Sequence, residues 1–279
     1  MKFAKMHGAG NDYVYVNGFE ESIDDPVSLA VAVSRPHFGI GADGLILILP
    51  STVADVRMRM FNADGSEAEM CGNGIRCVAK YAFDHGLVDR AEISVETQAG
   101  IRTLRLFTNA SGKVERVRVM MGNPRLTRAE IPMQGEATAL VVNEELAVLD
   151  RIFRITCVSM GNPHCVLFVP TVADFPVEKY GPAIENHALF PRRTNVEFVE
   201  ILSRNQVRQR TWERGSGETL ACGTGACAVT VAGALNGLTE RRILNHLLGG
   251  DLELEWAASG EVYMTGPAVQ VFEGDYSPG

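Results

Sequence analysis

The sequence predicts an α+β fold made of two pseudo-symmetric domains that arose by internal duplication. The main evidence is that Cys71 and Cys222 stand in the same context, each with a glutamate four residues before it and glycines one and three residues after it. The same offset of 151 residues (222 minus 71) relates Gly10-Asn11 to Gly161-Asn162, Phe61 to Trp212, and Gly86 to Gly237. A period this long, present only twice, favours gene duplication over a solenoid.

The first copy opens with two strands and a short helix. Strand-forming residues on both sides of a Gly-Ala-Gly-Asn loop predict strands at 3–7 and 12–16. Apolar residues at helical spacing then predict a helix over 28–34, which stops before Pro36.

A central helix follows the next two strands. A continuous apolar run predicts a buried strand at 45–49, and alternation with period two at 56–61 predicts a strand that ends at Asn62. After Cys71, apolar residues at helical spacing predict an amphipathic helix that begins at the cysteine and ends at Gly86. Three further strands are predicted between glycine-containing turns, at 91–97, 101–107 and 114–121.

The second copy repeats this order with no net insertion over its first part. Its central helix, at about 225–236, is small and apolar nearly all round, as expected for a helix surrounded by strands. The tail predicts strands at 252–256, 261–264 and 268–272, and we expect the last to return to the first domain. The predicted domains are therefore 1–118 with 266–279, and 119–265.

Composition and charge favour a globular protein with a small-molecule partner. The 279 residues suit two domains, and 46% hydrophobic with 22% charged residues is ordinary for a soluble protein. A formal net charge of −8 argues against a nucleic-acid partner. The first residues lack the apolar core of a signal peptide, and no run approaches the roughly 18 apolar residues of a membrane span. We therefore expect a cytoplasmic protein without a membrane partner.

The six cysteines do not predict a metal site. They form no CxxC pair, so neither a zinc site nor a thioredoxin-type motif is indicated, and in a reducing compartment they should be free thiols. Four of them are interpreted as small buried apolar residues, namely Cys77, Cys157, Cys165 and Cys227.

The other two cysteines, Cys71 and Cys222, each precede a helix. The unpaired N–H groups and the positive end of the helix dipole favour a thiolate there, and they also form an anion site for a carboxylate. If the two helices converge on one cleft between the domains, a thiolate and a thiol flank a single carbon. Backbone N–H groups would stabilise the charge that develops on the carboxylate when a proton leaves. The pattern therefore predicts a racemase or epimerase that needs no cofactor.

The alternatives to this interpretation are a structural cysteine and the nucleophile of an acyl-transfer enzyme. Either role could explain a single Cys-Gly-x-Gly helix start, but its recurrence in the second copy favours a catalytic role for both cysteines. His164, after Gly161-Asn162-Pro163, is a candidate to orient or tune a cysteine, although a lone histidine is as often structural.

Differences between the copies should select the asymmetric part of the substrate. Shared residues such as Asn11 and Asn162 would serve the reacting centre, and unshared pairs would contact the remote end. Glu213 beside Arg214 offers partners for an ammonium and a carboxylate, which predicts that the remote end of the substrate is amino-acid-like. The non-functional alternative is an exposed ion pair at the end of a strand. The unshared pairs are Asn62 against Glu213, Ala63 against Arg214, and Gly44 against Asn195.

These motifs resemble the diaminopimelate epimerase family over essentially the whole chain. The matching stretches are Gly8-Ala9-Gly10-Asn11-Asp12, Gly39-Ile40-Gly41-Ala42-Asp43-Gly44, Asn62-Ala63-Asp64-Gly65-Ser66, Met70-Cys71-Gly72-Asn73-Gly74, Gly161-Asn162-Pro163-His164, Thr194-Asn195, Trp212-Glu213-Arg214-Gly215 and Ala221-Cys222-Gly223-Thr224-Gly225. One departure is Gly44, where some members of the family carry a glutamine.

The resemblance implies a homodimeric enzyme that interconverts LL- and meso-diaminopimelate in lysine and peptidoglycan precursor synthesis. Each domain would be a mostly antiparallel sheet curled round its central helix, with the active site in the cleft between the domains. Cys71 and Cys222 would be catalytic, supported by His164 and Glu213, with no metal and no cofactor. The implied substrate-binding residues are Asn11, Asn62, Gly72, Asn73, Asn162, Asn195, Glu213, Arg214, Gly223 and Thr224.

The sequence leaves two other interpretations open. Proline racemase and hydroxyproline epimerase relatives share the two-cysteine design, but they resemble a Met-Cys-Gly-His start, whereas Asn73 stands here. A non-catalytic ligand-binding protein of the same fold would usually lose one cysteine, and both are present.

Overall fold

The computed structural model describes residues 1–277. The chain divides into two compact units, one of Met1–Met120 with the segment that begins at Thr265, and the other of Met121–Met264. Within the described residues, no helix is long and apolar enough to span a membrane.

The first part of the chain contains two helices among short strands. In chain order the elements are β1 (Lys2–Gly8), β2 (Asn11–Asn17), α1 (Pro26–Ser34), β3 (Gly44–Leu49), β4 (Val56–Asn62), β5 (Glu67–Ala68), α2 (Gly72–Asp84), β6 (Glu92–Thr97), β7 (Gly100–Thr108) and β8 (Val114–Gly122).

The second part repeats this order, with one additional strand before the repeat and one after it. Its elements are β9 (Glu144–Val148), β10 (Arg151–Ser159), β11 (Pro163–Phe168), α3 (Val177–Glu185), β12 (Asn195–Ser203), β13 (Gln206–Glu213), β14 (Gly217–Thr219), α4 (Gly223–Leu235), β15 (Arg242–Leu247), β16 (Gly250–Trp256), β17 (Val262–Pro267) and β18 (Val269–Asp275). The bounds of α3 and α4 equal those of α1 and α2 shifted by 151 residues. The duplication therefore preserves the helices residue for residue.

Within residues 1–277, strand pairing is mostly antiparallel, and parallel pairs occur in both units. The parallel pairs are β2 with β3, β4 with β6, β11 with β12, and β13 with β15. A helix lies in the connection of each of these pairs, which is how a parallel pair is normally joined.

The strand beside the first strand of each unit comes from a different place in the chain. β18 pairs antiparallel with β1, from Lys2 opposite Asp275 to His7 opposite Val269. In the second unit the corresponding neighbour of β10 is β9, which directly precedes it. The C-terminal strand thus takes in the first unit the place that β9 takes in the second.

The central helix of each unit is packed against strands on several sides. α2 contacts β1, β2, β3, β4, β6 and β7, and α4 contacts β10, β11, β12, β15 and β16. Leu45 and Leu47 of β3 pack in the cluster that contains Ala30 and Val33 of α1, while the side chain of Ile46 reaches the start of α2. Helices cover both faces of this strand, which explains its uninterrupted apolar run. The predicted α+β fold, with a curled and mostly antiparallel sheet, is confirmed.

Candidate active site

Cys71 caps the N-terminus of α2. Its backbone is extended, with φ −127° and ψ 120°, and its Sγ accepts the N–H of Gly74 at 3.3 Å, where other helices use a side-chain oxygen. The same Sγ donates to Oδ1 of Asn11 at 3.2 Å. The sulfur therefore lies between a backbone donor and a side-chain acceptor.

Asn11 is held in turn by Asp43. Its Nδ2 donates to Oδ2 of Asp43 at 2.7 Å, and the same oxygen accepts the backbone N–H of Asp12 at 3.0 Å. Burial raises the pKa of the Asp43 carboxyl, and the hydrogen bonds from Asp12 and Asn11 act in the opposite direction. Sequence reasoning gave Asp43 no role, although its replacement by Thr194 in the second copy distinguishes the two units.

The remaining residues predicted in the first unit have other partners. Asn62 lies opposite Gly44 in the pairing of β3 with β4, and its Nδ2 donates to Oγ of Ser66 at 2.9 Å. A Cβ on Gly44 would collide with the carbonyl oxygen of Phe61, so this backbone has no room for the glutamine of some relatives. Asn73 is buried, and its Oδ1 accepts from Nη1 of Arg76 at 3.0 Å.

Cys222 caps the N-terminus of α4 in the same extended conformation, with φ −116° and ψ 108°. Only 5% of the residue is exposed, and its Sγ lies 3.5 Å from Oγ1 of Thr224. Burial raises the pKa of the Cys222 thiol well above its usual value, and the nearby carboxylates of Glu213 and Glu197 raise it further, whereas Thr224 and the N–H of Gly225 lower it. The balance favours the thiol form at neutral pH.

A chain of side chains leads away from Thr224 into the core of the second unit. Nδ2 of Asn162 donates to Oγ1 of Thr224 at 3.3 Å, and Oδ1 of Asn162 lies 3.0 Å from Nε2 of His164. Nδ1 of His164 lies 2.7 Å from Oε1 of Glu197, and both side chains are fully buried. Burial raises the pKa of Glu197, an effect that His164 opposes. His164 therefore contacts Asn162, which in turn contacts the Thr224 beside Cys222.

Glu197 was missed by sequence reasoning. Its counterpart at the 151-residue offset is Ile46, and a carboxylate in place of a buried apolar residue was the available signal. Carboxylates are almost never fully buried without a partner, and His164 is that partner.

Asn195 and Glu213 are fixed beside Arg214. Oδ1 of Asn195 accepts the backbone N–H of Arg214 at 2.9 Å, and Oε1 of Glu213 accepts from Oγ1 of Thr219 at 2.6 Å. Nη1 of Arg214 donates to the carbonyl oxygen of Arg192 at 3.0 Å. These three predicted residues thus lie together at the end of β13.

The other four cysteines are buried, and all six are free thiols. Cys71 alone among the six is partly exposed. Burial raises the pKa of Cys77 to about 11, which keeps this residue of α2 in its thiol form at neutral pH. Over residues 1–277, no group of three or more His, Cys, Asp or Glu side chains is placed to hold a metal ion.

Solved structures share this two-domain α+β fold and have little sequence in common with the chain. A phenazine biosynthesis protein of the PhzF family from Bacillus anthracis has a TM-score of 0.72 at 18% identity, covering 100% of this chain and 99% of that one. A probable proline racemase from Agrobacterium radiobacter K84 has a TM-score of 0.68 at 15% identity, covering 99% and 92%. At such identities the likeness establishes the fold alone.

The sequence itself defines the family. The family model for diaminopimelate epimerase matches residues 3–127 and 156–271. A diaminopimelate epimerase of Agathobacter rectalis is 58% identical over 282 residues, covering 99% of each chain, and one of Acetivibrio thermocellus is 56% identical over 276 residues, covering 99% of this chain and 98% of that one. The chain belongs to the diaminopimelate epimerase family.

Proposed function

We propose that this protein is a cofactor-independent epimerase that interconverts LL- and meso-diaminopimelate, in lysine and peptidoglycan precursor biosynthesis. The observation that carries the proposal is the pair of cysteines at the starts of α2 and α4 in a chain of this family. Two equivalent proton carriers suit a reaction that inverts one carbon.

In this mechanism the two cysteines act on opposite faces of the α-carbon. One sulfur, as thiolate, takes the α-proton and becomes a thiol, while the other, as thiol, gives its proton to the opposite face and becomes a thiolate. The reverse turnover begins from that second state. Backbone N–H groups of Gly72-Asn73 and Gly223-Thr224 hold the carboxylate next to the reacting carbon and stabilise the negative charge that develops there.

Side chains near the two cysteines would bind the substrate, and the unshared ones would select it. Asn11, Asn62, Asn162, Asn195, Glu213 and Arg214 would bind its amino and carboxylate groups, and His164 and Glu213 would support catalysis. A negative and a positive side chain next to each other match the amino-acid end of a diamino diacid. On the likeness to the family we extend the proposal to a cytoplasmic homodimer that binds neither nucleic acid nor membrane; the net charge of −8 also disfavours nucleic acid.

The test is turnover of LL-diaminopimelate by purified protein with no added cofactor, followed by chiral chromatography. We expect the meso isomer to form from the LL isomer, and the LL isomer to form from the meso isomer. Proline and trans-4-hydroxy-L-proline serve as controls for the racemase alternative, and we expect neither to be inverted. Inversion of proline without inversion of diaminopimelate would contradict the substrate, and binding of diaminopimelate without any inversion would contradict the enzymatic role.

A further inference from the structure

The two equivalent asparagines present opposite ends of their amides to the cysteine side of each unit. The amide nitrogen of Asn11 donates a hydrogen bond to Asp43, and its amide oxygen lies 3.2 Å from Sγ of Cys71. The amide oxygen of Asn162 lies 3.0 Å from Nε2 of His164, and its amide nitrogen donates to Oγ1 of Thr224 at 3.3 Å. The difference matters because an amide oxygen accepts hydrogen bonds and an amide nitrogen donates them.

Asp43 fixes the amide of Asn11. Oδ2 of Asp43 accepts from Nδ2 of Asn11 and also from the backbone N–H of Asp12. This oxygen is an acceptor whether the carboxyl is ionised or carries a proton on its other oxygen, so the amide nitrogen has to face it. The oxygen of Asn11 remains for Cys71, where it can accept a thiol S–H but would repel a thiolate.

In the second unit, hydrogen-bond donors are directed towards the sulfur of Cys222. The hydroxyl oxygen of Thr224 accepts a hydrogen bond from Nδ2 of Asn162. Its hydroxyl proton can therefore be donated to Sγ of Cys222, which lies 3.5 Å away. A hydrogen bond donated to sulfur favours the thiolate and offsets part of the rise in the pKa of Cys222 that burial causes. Neither unit has the other's orienting group, because Thr194 stands in place of Asp43 and Tyr13 in place of His164.

We propose that Asp43 is a positioning residue that, by orienting Asn11, favours the thiol form of Cys71. It thereby opposes the N–H of Gly74, which favours the thiolate. Asn162 has the opposite orientation and exerts no such effect on Cys222. The inference rests on the proposed function, since a two-base epimerase needs one cysteine in each state when turnover begins. It adds a residue that binds no substrate, and it gives the duplicated site a defined asymmetry.

The test is the rate at which iodoacetamide alkylates Cys71 at neutral pH, measured by peptide mass spectrometry on the full chain. Only the thiolate reacts, and Cys71 is the partly exposed cysteine. Asp43→Ala frees the amide of Asn11 to turn its nitrogen towards the sulfur. We expect it to raise the rate about fivefold, the factor that one hydrogen bond is typically worth.

Asp43→Asn is the matched control, because it removes the charge but keeps an oxygen that can accept from Asn11 and from the N–H of Asp12. We expect its rate to stay within about twofold of the wild-type rate, since that acceptor is retained. In an Asn11→Ala background, Asp43→Ala should have no further effect, because Asp43 acts through Asn11. If Asp43→Ala does not fold, Asp43→Ser, whose side chain is too short to reach Asn11, takes its place.

Three results would overturn the proposal. They are an unchanged rate in Asp43→Ala, an equal increase in Asp43→Asn, which would mark an effect of charge alone, and an increase that persists without Asn11. The alkylation assay requires no turnover. Lack of epimerase activity in the wild-type protein would therefore count against the proposed function, and the alkylation rates would still decide the role of Asp43.

Discussion

Replacement of Cys71 or Cys222 by alanine is expected to lower kcat for diaminopimelate epimerisation by about 10²–10⁴-fold, the usual contribution of a general acid or base. Each sulfur is proposed to carry the proton on one face, and alanine offers no group that can replace it. The two losses should not add in the double variant, because removal of either proton carrier already interrupts the same step.

The matched controls are Cys77→Ala and Cys227→Ala. These cysteines lie in the same two helices and are fully buried, so their replacement tests the loss of a thiol within the core rather than at the helix start. We expect both controls to retain kcat within a fewfold and all four variants to keep the wild-type circular dichroism spectrum. Turnover near the wild-type rate in Cys71→Ala or Cys222→Ala would contradict the catalytic role of that residue.

Replacement of Glu197 by leucine is expected to lower the free energy of unfolding by about 3–5 kcal/mol, the usual cost of removing one partner of a buried pair. His164 and Glu197 are both fully buried, and the change would leave Nδ1 of His164 without its carboxylate. Because His164 contacts Asn162, kcat should fall as well. Urea denaturation and steady-state kinetics measure the two effects.

Glu197→Gln is the control for this prediction. It keeps an oxygen that can accept from His164 and nearly the same volume, so most of the stability should remain. The amide NH2 of the glutamine would take the place of Oε2, which has no hydrogen-bond partner within the described residues, and burying this unpaired donor should cost about 1–3 kcal/mol. A leucine variant as stable as the wild type would contradict the structural role of the pair.

Most of the fold could be predicted from the sequence because the duplication supplied most elements twice. The bounds of α4 follow α2 at the 151-residue offset, and the apolar surface of α4 reflects a helix with strands on several sides. The short strand β5 has only two residues, too few to carry a periodic signal. β9 has no counterpart before β1 in the chain, so the offset could not reveal it.

The candidate site could be predicted only in part. The two cysteines could be singled out because the short motif around each helix start recurs in the sequence. Asp43 lies 32 positions from Asn11, and Glu197 lies 33 positions from His164, so their hydrogen bonds depend on how strands pair. The sequence could not show why glycine stands at position 44. The structure shows that the carbonyl oxygen of Phe61 occupies the space that a side chain there would need.

The most direct test of two-base proton transfer is the isotope content of both isomers early in the reaction of LL-diaminopimelate in deuterium oxide. The thiol that protonates the inverted carbon has exchanged with solvent, whereas return from the first sulfur restores the substrate's own proton. We therefore predict that the meso product carries deuterium at that carbon while the recovered LL substrate keeps protium. A meso product that retains the original protium would contradict the account, because a single base would then have moved the proton from one face to the other.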